Sequence, residues 1–131
     1  MSEHDPIRVG IAGLGRSGWD IHARLLAPLA DAYQVVAVVD ADEKRRQEAI
    51  DRFDCQAYAE YDALLADPAV ELVVVSLPSH RHADGSIAAL AAGKHVVCEK
   101  PMATTLADAD RMVAAAEQGD RVLTIFQQRR Y

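Results

Sequence analysis

"IRVGIAGLGRSG", residues 7–18, runs an apolar stretch straight into three glycines with no spacer. Ile7, Val9, Ile11 and Ala12 are too nearly continuous for a half-exposed strand, which would alternate, and read as a strand covered on both faces. Gly13, Gly15 and Gly18 stand in the spacing G-x-G-x-x-G. The first position needs a tight turn, the second a backbone that can approach a pyrophosphate, the third close packing of helix on strand. The following "SGWDIHARLLAPLAD" puts Ile21, Leu25 and Leu29 on one helical face, with Pro28 disturbing the last turns. The helix N-terminus offers unpaired N–H groups and the positive end of a dipole to the loop, where Leu14, Arg16 and Ser17 lie between the glycines. A lone glycine pattern is a weak signal, and a turn serving only packing competes with it. The strand before and the helix after make it a dinucleotide-binding loop.

Working outward, the same alternation continues. Residues 34–40, 71–77, 94–100 and 121–127 are further Val- and Ile-rich runs, and "CQAY" (55–58) is a short edge strand. Between them lie "DEKRRQEAIDRF", which opens on acids, and "EYDALLADP", stopped before Pro68. "RHADGSIAALAAGK" ends at Gly93, a left-handed C-cap. "TTLADADRMVAAAEQGD" starts on a Thr, ends at Gly119 and carries Leu106, Ala109, Met112, Val113 and Ala116 on one side. Strands alternating with helices at this spacing predict an α/β fold: a doubly wound parallel sheet of about six strands, helices on both faces, in one domain.

Composition narrows the function. The chain has 131 residues, half of them hydrophobic, enough for a core of small aliphatic side chains. A net charge of −6 without a basic stripe argues against nucleic acid. No apolar run reaches the roughly 18–20 residues of a membrane span, and "MSEHDP" lacks the features of a signal peptide. Cys55 and Cys98, far apart and without a CxxC partner, suit a reduced, cytoplasmic chain.

The second strand ends in Asp40, 22 residues after Gly18, the distance expected of a ribose-binding acid. A carboxylate there accepts from the adenosine 2′-hydroxyl and repels a 2′-phosphate, which favours NAD over NADP. Asp40 could cap the helix that follows as well, since one Asp can do both, and Arg45 and Arg46, a turn into that helix, could help a phosphate but read rather as solvated. Ser76, Leu77, Pro78 and Ser79 leave the sheet at its carboxyl edge, where open α/β sheets bind ligands. His80 and His82 follow, without a third ligand at a spacing that would make a metal site. In "HVVCEKP" the fifth strand ends in Glu99, Lys100 and Pro101, at the same edge. A lysine withdrawn from water beside a cationic nicotinamide would have its pKa lowered and could exchange a proton with a substrate oxygen. From composition alone these charges could equally be ordinary strand-end residues.

"VGIAGLGRSG", "VVD", "LPSHRHAD", "ALAAGKHVVCEKPMATT" and "LTIFQQRRY", in this order, closely resemble the Gfo/Idh/MocA oxidoreductase family over essentially the whole chain. The "AGKHVVCEKPMA" block is the most specific part. The resemblance implies the Rossmann domain of an NAD(P)-dependent oxidoreductase that moves hydride between nicotinamide and a sugar, polyol or similar hydroxy compound, of the inositol- or glucose-dehydrogenase kind. It implies that Gly13, Gly15 and Gly18, with Leu14, Arg16 and Ser17, form the dinucleotide loop, and that Asp40 is the ribose acid. Leu77, Pro78, Ser79 and His82 match the turn lining the cofactor, with Ser79 where Asn is usual. Glu99, Lys100 and Pro101 match the "EKP" motif, whose lysine is catalytic. Gln128 stands at the usual Asn near the carboxamide, and Arg129 and Arg130 align with the pair after it. The family continues into a second α/β domain bearing the substrate pocket and a homo-oligomer interface, so 1–131 is expected to be the dinucleotide-binding part. A non-catalytic dinucleotide sensor is the alternative, and the intact "EKP" counts against it.

Overall fold

A computed structural model describes residues 6–13, 33–77, 81–99 and 105–126. Among them are six strands, β1 (Ile7–Ala12), β2 (Tyr33–Val39), β3 (Gln56–Tyr58), β4 (Leu72–Val75), β5 (His95–Glu99) and β6 (Leu123–Phe126). They form one sheet in the order β3-β2-β1-β4-β5-β6, and every adjacent pair is parallel. The chain works outward from β1 to β3 on one side, then returns to place β4 against β1. The order therefore reverses between β1 and β4, and a doubly wound sheet opens a crevice at that reversal, outside the carboxyl ends of its strands. The strand expected at 55–58 is the β3 edge. The helix expected after Gly18 lies outside the described residues.

The continuous apolar runs reflect two-sided burial. One cluster, with Ala12, Val39, Val73, Val75, Val96 and Cys98, packs beneath α2 (Tyr61–Leu65), α3 (His82–Ala91) and α4 (Leu106–Gly119) through Leu64, Leu90 and Met112. The other, with Val9, Ile11, Val35, Val38 and Val74, packs beneath α1 (Glu43–Phe53) through Ala49 and Phe53. A register shift between Val9 and Gly10 skips Val36, so that Val36 and Ala37 both reach the first cluster. Gly10 sits here for want of space: a Cβ would meet Val70 at 3.0 Å and Leu64 at 3.2 Å.

Helix ends follow their local chemistry, with some departures from the sequence expectation. α1 is capped by Asp42, whose side chain accepts from the Lys44 N–H at 2.9 Å, so Asp40 is not the cap. Thr105 caps α4 by accepting from Asp108 N–H at 3.1 Å. After α3, the Gly93 N–H donates to Leu90 and the Lys94 N–H to Ala89, the paired bonds of a Schellman ending with Gly93 at φ +88°. Gly119 stays inside α4; the left-handed residue is Asp120, φ 54°. Only Met112 and Ala116 of α4 are buried, while Leu106 is 79% and Val113 45% exposed. This helix rests on α3 at the β6 side of the sheet, where a narrow stripe is covered rather than a full face. No helix among the described residues is long and apolar enough to cross a membrane.

Candidate functional site

Register aligns the candidate positions. Ala12 pairs with Val39 on one side and Val75 on the other, and Val75 pairs with Cys98. One residue further along each strand stand Asp40, Gly13, Ser76 and Glu99. Four sequence-distant candidates thus emerge side by side at the carboxyl edge, centred on the β1/β4 reversal.

Gly13 is the pivot. Its N–H donates to the Val39 carbonyl at 2.9 Å, and the Ser76 N–H donates to Ala12 at 2.9 Å. Its φ is +94°, and a Cβ would stand 2.7 Å from the Ser76 carbonyl oxygen. Backbone conformation and space therefore both demand glycine. Leu14, Gly15, Arg16, Ser17 and Gly18 lie outside the described residues.

Asp40 is held in an Asx turn: Oδ1 accepts from the Asp42 N–H at 2.8 Å, and its own N–H donates to Tyr58 at 3.1 Å. Arg46, expected to be solvated, instead turns back half-buried and donates from Nη1 to the Asp40 carbonyl at 2.7 Å. Arg45 is the exposed one, its Nε 3.8 Å from the Asp42 carboxylate. Nothing in the spacing of two adjacent arginines distinguishes these outcomes; the difference is the side of α1 on which each falls.

At the end of β4, the Ser76 hydroxyl is buried and has no hydrogen-bond partner among the described residues. A buried polar atom in that state is under-satisfied, and one beside the crevice suits a polar ligand. Leu77 accepts at its carbonyl from the His82 ring, whose Nε2 lies 2.8 Å away. His82 is buried at the start of α3, so it ties the β4–α3 connection to the helix rather than standing open in a loop. Pro78, Ser79 and His80 lie outside the described residues.

Two contacts here escaped the sequence reading. Gly85, in the middle of α3, lets that helix close over Leu77: a Cβ would come within 2.8 Å of Leu77 Cδ1. Tyr61, from α2, donates its hydroxyl to the Gly85 carbonyl at 2.6 Å. Burial, reinforced by the Cys98 thiol, pushes the Tyr61 phenol well above its ordinary pKa, so it stays a neutral donor. A glycine in mid-helix, where it is unfavourable, was the available signal. Glu99 ends β5; Lys100, Pro101, Gln128, Arg129 and Arg130 lie outside the described residues. Among the described residues no group of three His, Cys, Asp or Glu side chains could hold a metal ion.

Comparison with known proteins identifies the family. Residues 7–127 match a family model described as "Oxidoreductase family, NAD-binding Rossmann fold". Inositol 2-dehydrogenase of Salmonella typhimurium is 41% identical over 128 residues, covering 95% of this chain and 38% of that protein. The scyllo-inositol 2-dehydrogenase (NADP(+)) IolW of Bacillus subtilis is 38% identical over 128 residues, covering 97% and 35%. The WlbA dehydrogenase of Chromobacterium violaceum, solved with NADH and UDP-GlcNAcA, superposes with a TM-score of 0.90 at 31% identity over 97% of this chain and 36% of that one. The chain spans a little over a third of the length of the curated relatives it matches.

Proposed function

This chain belongs to the Gfo/Idh/MocA family of oxidoreductases, matching its NAD-binding Rossmann fold, and from that premise we propose that it forms the dinucleotide-binding part of a dehydrogenase acting on a sugar or polyol hydroxyl. The observation that carries the reading is the single row of Asp40, Gly13, Ser76 and Glu99 across the sheet reversal. The residues present fit a dinucleotide. At the reversal the buried Ser76 hydroxyl lacks a partner among the described residues, a polar atom a bound dinucleotide could satisfy.

In this reading Gly13 and the loop through Gly18 receive the pyrophosphate, and Asp40 accepts from the adenosine ribose hydroxyls. Ser76 and Leu77 line the crevice, with His82 as the residue that fixes the Leu77 carbonyl. Bound NAD supplies a hydride acceptor. Lys100, directly after β5, holds and returns the proton of the substrate hydroxyl, and Glu99 and Gln128 orient the nicotinamide side. NAD is the principal cofactor because Asp40 repels a 2′-phosphate. A sugar or polyol substrate follows from the relatives, which include inositol dehydrogenases and a dehydrogenase solved with a nucleotide sugar. The part that presents this substrate corresponds to the remaining length of those relatives. A reducing, cytoplasmic setting suits the thiols Cys55 and Cys98.

Titrating the 131-residue chain with NADH and following nicotinamide fluorescence tests the binding half. Saturable binding is expected; a folded chain that shows none at millimolar NADH would refute it. In a longer protein that turns over a polyol, Lys100→Ala should cut kcat by about 100-fold or more while sparing NADH affinity. An unchanged kcat would remove Lys100 from the chemistry.

A further inference from the structure

Leu77 lies two residues beyond the end of β4, past the Ser76 N–H that donates to Ala12 at 2.9 Å. From there α3 takes over its placement. The His82 ring, through Nε2, lies 2.8 Å from the Leu77 carbonyl, and the half-buried Leu77 side chain lodges against Gly85. A glycine inside a helix is less favourable than an alanine. Gly85 does not serve a left-handed backbone, for the glycines with positive φ among the described residues are Gly13 and Gly93. Nor do Val75 and Tyr61 exclude a methyl group: a Cβ would stand 3.5 Å from Val75 Cγ1 and 3.9 Å from Tyr61 Cε2, ordinary contacts, but 2.8 Å from Leu77 Cδ1. Of these three neighbours, an alanine would displace Leu77 alone. Tyr61 grips the same turn of α3, its hydroxyl donating to the Gly85 carbonyl at 2.6 Å. Burial, ahead of the Cys98 thiol, holds that phenol above its ordinary pKa, so the donor persists at any working pH.

We infer that Gly85 and Tyr61 are positioning residues for the dinucleotide: together they hold Leu77 as a fixed wall of the crevice, next after Ser76. The inference rests on the dinucleotide reading of the site. A leucine at the end of a strand has several staggered rotamers, and each leaves a different space beside it. Seated in the hollow over Gly85, Leu77 keeps one. The wall then needs no ordering when the ligand arrives, and binding does not carry that entropy cost. The depth of the hollow depends on where α3 rests, and Tyr61, reaching across from α2, sets it through the Gly85 carbonyl. An alanine would favour the helix and leave Leu77 without its seat. The position therefore gives up helix stability for a defined crevice, which is the mark of a residue kept for the site and not for the core.

The test is calorimetric titration of the 131-residue chain with NADH and, separately, with adenosine monophosphate, which in that reading extends from Asp40 to the glycine loop and not past β4. Gly85→Ala should leave the urea midpoint equal to or above that of the unaltered chain, raise the Kd for NADH about fivefold and change that for the monophosphate less than about twofold. Tyr61→Phe, which keeps the ring, should raise the NADH Kd about threefold, the size of one neutral hydrogen bond, with the monophosphate again within about twofold. In a Leu77→Ala background, Gly85→Ala should change the NADH Kd less than about 1.5-fold, because the atom it displaces is gone. Losses that simply add in that double variant would overturn the inference. Equal losses for both ligands would mean that the two residues only support the fold, and would overturn it too. An unchanged NADH Kd in Gly85→Ala or in Tyr61→Phe would overturn it for that residue. Absence of NADH binding by the unaltered, folded chain would refute the dinucleotide reading itself and the inference with it.

Discussion

At the scale of single residues, Gly13 and Ser76 face each other across the β1/β4 reversal and make opposite predictions. Gly13→Ala combines a left-handed backbone with a 2.7 Å approach to the Ser76 carbonyl. It should lower stability by about 2–4 kcal/mol in urea denaturation and abolish NADH binding. Ser76→Ala removes a buried hydroxyl that has no partner among the described residues. Losing such a group relieves desolvation, so stability should hold or rise slightly, while NADH affinity falls about three- to tenfold. If stability and affinity fell together in Ser76→Ala, the hydroxyl would be structural. Cys55 gives a pH signature. Burial, partly offset by a backbone hydrogen bond, pushes its thiol up to about 11. The folded state therefore favours the protonated form. Its contribution is complete below the ordinary thiol pKa of about 8.5 and is lost as pH rises through about 11. The urea midpoint should drop more between pH 8 and pH 10 in the parent than in Cys55→Ala; equal drops would show that the thiol does not titrate this way.

At the scale of elements, Gly93 offers a control for Gly13. Both have positive φ, but no atom lies within 4 Å of where a Gly93 Cβ would be. Gly93→Ala should therefore cost only the backbone term, about 1 kcal/mol, and leave NADH binding unaltered, because the Schellman turn lies at the far end of α3 from His82. A loss of binding would mean that the α3 ending is coupled to the crevice. The contrast also shows what could be read in advance. Strands were legible because two-sided burial leaves an unbroken apolar run, and Gly93 because a helix that stops in a left-handed turn strongly favours glycine. The exposure of Leu106 and Val113 was not legible. Periodicity marks a side of a helix but not how much of that side a neighbour covers, and α4 is covered by α3 only along Met112 and Ala116. The left-handed Asp120 was likewise hidden behind Gly119, since aspartate tolerates that conformation without advertising it. Arg46 was misread because charge runs say nothing about where a long side chain turns.

At the scale of the whole molecule, the site exists only when the sheet is assembled. Its row draws on Gly13, Asp40, Ser76 and Glu99, which are adjacent only because β1 lies between β2 and β4, with β5 beyond. The same strands carry the two core clusters, Ala12, Val75 and Cys98 on one face and Ile11, Val38 and Val74 on the other. A dinucleotide that spans this row has no comparable partner in the unfolded chain, so its binding free energy adds to the free energy of global unfolding. At a ligand concentration a hundred times Kd the gain is about 2.7 kcal/mol. For a domain of this size that corresponds to a rise in Tm of roughly 10 °C. Calorimetry of the 131-residue chain with and without NADH should show that rise as one cooperative shift. Adenosine monophosphate, which can reach Asp40 but not span to β5, should produce a smaller one at equal concentration. A Tm that does not move under conditions where fluorescence reports saturation would mean that the ligand sits on a surface that survives unfolding, and not across the carboxyl edge of the sheet.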